Sequence, residues 1–266
     1  MPERKGLFRT EELAGGLRVH VLRTKTFKTV SARLVLHSDL DDGTAARALV
    51  PRVLGRGTKS YPDLRSLQAE LDRRFGATLC GDARKMGERH LVEFRADWVA
   101  DRIAGRPLLQ EMFALLGEML HEPAPDRDGG LREDYVVGER KVQADEAEAV
   151  FNDKARYARY RLIQEMCRDE AYARPAVGRA DEIRALEPGD VRRAHRRLLE
   201  RAPADLFLVG DVAWRQVLSG VRRLGLGPAR RPARLKRTRR AAAGRVRTVR
   251  ERQPVGPGTL ALGFRT

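Results

Sequence analysis

The sequence predicts an α+β fold in which an antiparallel sheet carries helices packed on one face, and three observations carry that expectation. Two segments alternate with the period of a strand. Val30, Ala32, Leu34 and Leu36 oppose Ser31, Arg33 and Val35, and Leu91, Glu93 and Arg95 oppose Val92, Phe94 and Ala96. Other segments repeat apolar residues at helical spacing, as in Leu108, Met112, Leu115, Leu116, Met119 and Leu120. Finally, the elements run in the order two strands, two helices, two strands, several helices and a last strand.

Taken along the chain, residues 17–22 form a first strand after the Gly15-Gly16 turn, and residues 29–37 a second. A turn over residues 39–43 precedes a helix over residues 45–54, which Thr44 is placed to cap and which Pro51 should kink or shift. After a Gly-x-Gly-Thr turn, Asp63 caps a helix carrying Leu64, Leu67, Leu71 and Phe75 as a buried stripe, closed by Gly76. Strands follow over 77–82 and 89–96. Helices are then expected over 108–120, 131–148, 152–168 and 187–199, the last opened by Pro188 and Asp190, where a first turn favours them. Residues 205–211 read as a short buried strand, and 214–224 as a closing helix.

A chain of 266 residues with 42% hydrophobic content can bury at least one substantial core, in one or two domains. Apolar runs such as Leu206-Phe207-Leu208-Val209 fall far short of the roughly 18–20 residues of a membrane span, and no signal-like segment follows Met1-Pro2-Glu3-Arg4-Lys5. The cytoplasm is therefore the expected location. Cys80 and Cys167 lie far apart without a C-x-x-C partner, and both are expected to be buried free thiols.

Lys and Arg number 53 against 37 Asp and Glu, a net charge of +16. Nucleic acid thus enters as an alternative partner. The excess is spread along the whole chain, and the basic run Arg230-Arg231-Pro232-Ala233-Arg234-Leu235-Lys236-Arg237-Thr238-Arg239-Arg240 has neither aromatics for base stacking nor an apolar face for a membrane. A solvated connector is the favoured reading of that run. His20, His37, His90, His121 and His195 include no pair three or four apart, so each reads as an ordinary histidine and not a ligand.

The strand, the helix, the Gly57-Thr58 turn followed by Tyr61-Pro62, and the next helix resemble the pitrilysin/insulinase-type zinc metallopeptidases, the inverzincins. Further likeness comes from Leu71-Asp72-Arg73-Arg74-Phe75-Gly76-Ala77 and from Leu208-Val209-Gly210-Asp211-Val212, over residues 10–224. The resemblance implies a metallohydrolase half-domain like those of mitochondrial processing peptidase subunits. It also implies an H-x-x-E-H helix in which two His hold zinc and a Glu acts as general base. Counted back from Gly57-Thr58, those positions are Ala48, Pro51 and Arg52, so the motif is degenerate and no catalytic residue is expected. A third ligand, a Glu on a later helix, would fall at or near Glu146 after the Glu139-Arg140 segment, as a vestigial ligand position.

A catalytically inactive bacterial branch is the nearest likeness, through the Pro-containing helix before the Gly-Thr turn, Asp153-Lys154-x-Arg156-Tyr157-Ala158 and Glu165-Met166-Cys167. Some of its members are linked to modification of elongation factor P, an association without a mechanism. What the branch implies is a noncatalytic subunit without cofactor, paired with a zinc-bearing homologue around a peptide or protein substrate. An active peptidase with unrecognised ligands is the remaining alternative. Residues 1–224 are expected to form the half-domain, 225–256 a basic Pro/Arg-rich linker, and 257–266 the first strand of a second half-domain that stays unfinished.

Overall fold

A computed structural model describes residues 8–126, 129–228, 230–236, 246–252 and 258–264. The elements in chain order are β1 (Arg9–Leu13), β2 (Leu17–Arg23), β3 (Thr29–Asp39), α1 (Thr44–Leu54), α2 (Leu64–Arg73), β4 (Thr78–Met86) and β5 (Arg89–Val99). There follow α3 (Asp101–Ala104), α4 (Leu108–His121), α5 (Glu133–Glu148), α6 (Lys154–Met166), α7 (Ala180–Arg184), α8 (Pro188–Arg201), β6 (Ala204–Gly210) and α9 (Trp214–Val221). One six-stranded sheet runs in the order β1-β2-β6-β3-β5-β4.

Helices cover one face of this sheet, as expected. Leu34 and Leu36 of β3, Phe94 and Trp98 of β5 and Leu206 of β6 meet Leu49 of α1, Met112 and Phe113 of α4, Val191 and Leu198 of α8 and Val217 of α9 in one core. The sheet is mixed and not wholly antiparallel. β6 returns after the helices and inserts between β2 and β3, antiparallel to β3 and parallel to β2. A local pattern sets which face a strand buries, but the direction of a late strand is set by the crossover that delivers it.

Several boundaries differ from expectation for local reasons. Strand β1 lacks apolar alternation, is exposed throughout most of its length, and is held by its pairing with β2. Thr44 is the first residue of α1 and does not cap it; its hydroxyl accepts from the Asp41 amide instead. Asp63 caps α2 as predicted, accepting from Ser66 N at 2.8 Å. Phe75, expected in the stripe of α2, is 55% exposed because it follows the helix at φ +60°. Helix α6 buries none of its residues fully, despite Tyr157, Tyr160, Leu162 and Ile163. Residues 258–264, predicted as a strand, pair with no other strand among the described residues, and Leu260 and Phe264 are exposed.

Two further expectations are corrected. Cys80 is exposed while Cys167 is buried, because Cys80 points to the open face of β4 between the inward Leu79 and Gly81. The basic run is not solvated at its start: Arg230 is buried, donating to the Leu199, Gly15 and Ala202 carbonyls. Leu226 joins the main core, and Gly15 lies so close that a Cβ there would sit 2.1 Å from the Gly227 carbonyl oxygen. Residues 237–240 of that run lie outside the described residues.

The face without helices carries two buried carboxylates, both paired across β3 with Val35. Asp205 accepts from Arg18 Nη2 at 2.7 Å and from His20 Nε2 and His37 Nε2 at 2.8 Å each. Burial alone would raise its pKa, but the bonds from His37, Arg18 and His20 outweigh that and hold it well below the usual carboxylate range. Glu93 accepts from Arg84 and Arg95 in the same way. Of the histidines that read as ordinary from the sequence, His20 and His37 are thus members of a sheet-face network, with His20 also stacked on Phe207 at 4.4 Å. Replacing Asp205 by Ala should cost on the order of 2 kcal/mol in chemical unfolding, since it strands three donors on a half-buried surface.

On the helix-covered face His90 is fully buried, with Nε2 donating to the Ala176 carbonyl at 2.9 Å and Nδ1 facing Arg47 Nε at 3.4 Å. Burial, reinforced by the Arg47 charge, pulls its pKa down to about 4. An unfolded histidine titrates near 6.5, so from about pH 6.5 down to about pH 4 the unfolded chain gains a proton that the folded chain refuses. Stability is therefore complete above that window and falls through it, by up to about 3 kcal/mol. Urea unfolding at pH 7.5 and pH 4.5 should show this loss, and His90→Leu should flatten it.

Candidate functional site

The segment that carries the family resemblance is α1 and the turn after it. Nine of the 11 residues of α1 are buried, because the helix lies on β4 and β5 and is covered by α5, α7 and α8. Pro51 does not break it. The helix is continuous through residue 54, and the proline ring sits on β4, where a Cβ at Gly81 would come within 2.7 Å of Pro51 Cβ. Only glycine lets that ring approach the sheet so closely.

The turn is tied down from two sides. Thr58 is fully buried, its amide donating to the Tyr61 carbonyl at 2.7 Å and its hydroxyl accepting from the Tyr61 amide at 3.1 Å. Gly57 faces the Pro62 backbone at a distance no Cβ could share, and its carbonyl accepts from Ala124 N at 3.1 Å. Tyr135 of α5 closes the other side, its hydroxyl donating to the Pro62 carbonyl at 2.9 Å. Gly57 and Thr58 thus set where α1 ends relative to α4 and α5.

Of the three positions that the resemblance marks on α1, Ala48 is 2% exposed and offers only a methyl group, and Pro51 has no basic atom. Arg52 points at α5. Its Nη1 and Nη2 donate to the two carboxylate oxygens of Glu146 at 2.9 and 3.0 Å, and its Nε donates to Glu139 at 3.1 Å. The other Glu139 oxygen lies 3.5 Å from Arg56 Nη1. Burial acts against the Arg52 charge, but the bonds from Glu146 and Glu139 outweigh it and raise its pKa.

Glu146, singled out from the sequence as a vestigial ligand position, is therefore brought to residue 52 by the fold. A zinc ion does not fit this donor set. One position has no donor atom, one has no base, and the third is a permanent cation already bound to both carboxylates. Among the described residues, no group of three or more His, Cys, Asp or Glu is placed to hold a metal, and no helix is long and apolar enough to cross a membrane. The contact of Glu139 with Arg52 spans 87 positions and leaves no local signal in the sequence.

No protein-family model matches the chain. A curated relative does: it is 32% identical over 255 residues to YmfF of Bacillus subtilis, described as a probable inactive metalloprotease, covering 95% of this chain. The chain spans 60% of that relative's length. Among solved structures, a conserved protein of Enterococcus faecalis superposes with a TM-score of 0.78 at 20% identity, over 84% of this chain and 53% of that one. The inactive domain of a peptidase M16 from Pseudomonas fluorescens gives 0.68 at 17% identity, over 88% and 54%. The periplasmic protease PqqL of Escherichia coli gives 0.67 at 19%, over 89% and 25%. These structures share the fold of this chain, and the curated relative carries the likeness in sequence. In sequence the chain is similar to a probable inactive metalloprotease, and in fold to the pitrilysin-like, M16 peptidases.

Proposed function

We propose that the protein is a noncatalytic subunit that pairs with a zinc-bearing homologue and contributes wall and binding surface to a shared peptide chamber. The observation that carries this reading is the chemistry of α1, where the marked positions are a methyl group, a proline and an arginine engaged by two glutamates. A helix so furnished can neither hold zinc nor take a proton from a bound water. Its scaffold is nonetheless closely packed, from the Pro51–Gly81 contact to the buried Thr58 turn.

The peptide-facing role is supported by β4. It is an edge strand beside α1, and no strand pairs with its outer side among the described residues. An extended peptide can add to such an edge through backbone hydrogen bonds. The nucleic-acid alternative loses part of its basis, since Arg230 spends its charge on three backbone carbonyls inside the protein.

Two measurements test the proposal. Metal analysis of the purified protein should find far less than one zinc per chain, and peptide libraries should remain uncut; one zinc per chain with metal-dependent cleavage would establish an active peptidase instead. Mixing with an H-x-x-E-H homologue encoded by the same genome should yield a stable complex with raised peptidase activity. Absence of any complex with every such homologue would end the pairing model.

A further inference from the structure

The fold family implies a metal between α1 and α5, and the residues present do not accommodate one. We propose that Arg52 is the resident cation of this site, its guanidinium taking the place of a divalent ion and holding Glu139 and Glu146 of α5 to α1. This inference rests on reading the site as noncatalytic and adds what replaces the metal.

Glu139 and Glu146 lie seven residues apart, on the same face of α5 two turns removed. Their carboxylates converge on one group, which uses all three of its nitrogens on them: the fork of Nη1 and Nη2 on Glu146, and Nε on Glu139. Bidentate pairing of this kind fixes direction as well as distance, as a coordination bond does. The Glu139 and Arg52 side chains are 15% and 24% exposed, so this pair is shielded as surface pairs are not. Glu146 is 56% exposed and forms the open side of the site.

Elsewhere α5 touches α1 and its turn through few polar contacts, among them Gln143 Nε2 to the Ala45 carbonyl at 3.3 Å and Tyr135 to Pro62. Without a cation, two carboxylates aimed at one point would repel each other and lack partners. A divalent ion cannot share the space, because it would face a permanent positive charge at contact distance. The arginine therefore preserves the α1–α5 geometry that metal would otherwise hold, and makes the site indifferent to metal supply.

Arg52→Met tests this by keeping the apolar stem and deleting the charge. Its melting temperature should fall by about 5 °C. In a Glu139→Gln/Glu146→Gln background the same substitution should cost less than half as much; an equal fall in both backgrounds, or none in either, would overturn the proposal by showing that Arg52 only fills space. A second arm replaces the cation by ligands. Ala48→His/Arg52→His, confirmed as folded by circular dichroism, should gain a zinc-dependent rise in melting temperature, while the unaltered protein shows none under the same zinc chloride series. A folded double variant indifferent to zinc would show that the space beside Glu146 is not a cation position and would overturn the proposal. Should that variant not fold, the Arg52→Met cycle decides alone. Stoichiometric zinc in the unaltered protein would instead remove the noncatalytic reading itself, whereas a zinc-free protein with an uncoupled Arg52→Met removes only the resident cation.

Discussion

A helix buried on nearly every side cannot carry an unanswered charge, and α1 carries two arginines. Much of the structure around it follows from meeting that demand. Arg47, near the N-terminal end, donates to the Asp39 carbonyl at 2.7 Å and to Asp41 at 2.8 Å, and lies against a histidine kept neutral by burial. Arg52, near the C-terminal end, is answered by two glutamates of α5. The apolar remainder of α1 then packs on β4, β5, α7 and α8 without a polar orphan on the helix itself. The charged ends position α1, and its apolar middle supplies the core.

The same logic governs the face of the sheet that helices leave uncovered. Asp205 and Glu93 are buried, yet Asp205 accepts from Arg18, His20 and His37 on the adjacent β2 and β3, and Glu93 from Arg84 on the adjacent β4 and Arg95 on its own strand. Strands β2, β3 and β6 are thereby cross-linked by side chains as well as by their backbone ladders. Buried carboxylates satisfied in this way fix register, because a slip of one residue would turn every partner to the opposite face.

What the sequence reveals divides along the same line between local and distant contacts. β3 and β5 are legible because their side chains alternate with the period of a strand, and α2 is legible because Asp63 and its apolar spacing act within a few residues. β1 is not, since Arg-Thr-Glu-Glu-Leu is held by a partner strand and not by burial. Arg230 misleads in the opposite sense: its neighbours are basic and proline-rich, yet three carbonyls remote in sequence draw it inside. At the site, the family resemblance alone marks Ala48, Pro51 and Arg52 on α1 and Glu146 on α5. That Arg52 would close on Glu146 depends on the crossing of α1 and α5, which no local pattern encodes.

The position of β6 has a consequence for how the chain reaches this structure. β2 and β3 are neighbours in sequence but not in the sheet; the strand that joins them lies more than 160 residues later. During synthesis the first 99 residues can form the β3–β5–β4 ladder and lay α1 upon it, while β2 waits with one edge unpaired. The sheet becomes continuous only when residues 204–210 arrive and slot between two strands already made. Such a late, non-local closure makes for slow folding and a long interval of exposed strand edges, a period in which a chaperone, or the remainder of a longer polypeptide, would find them open.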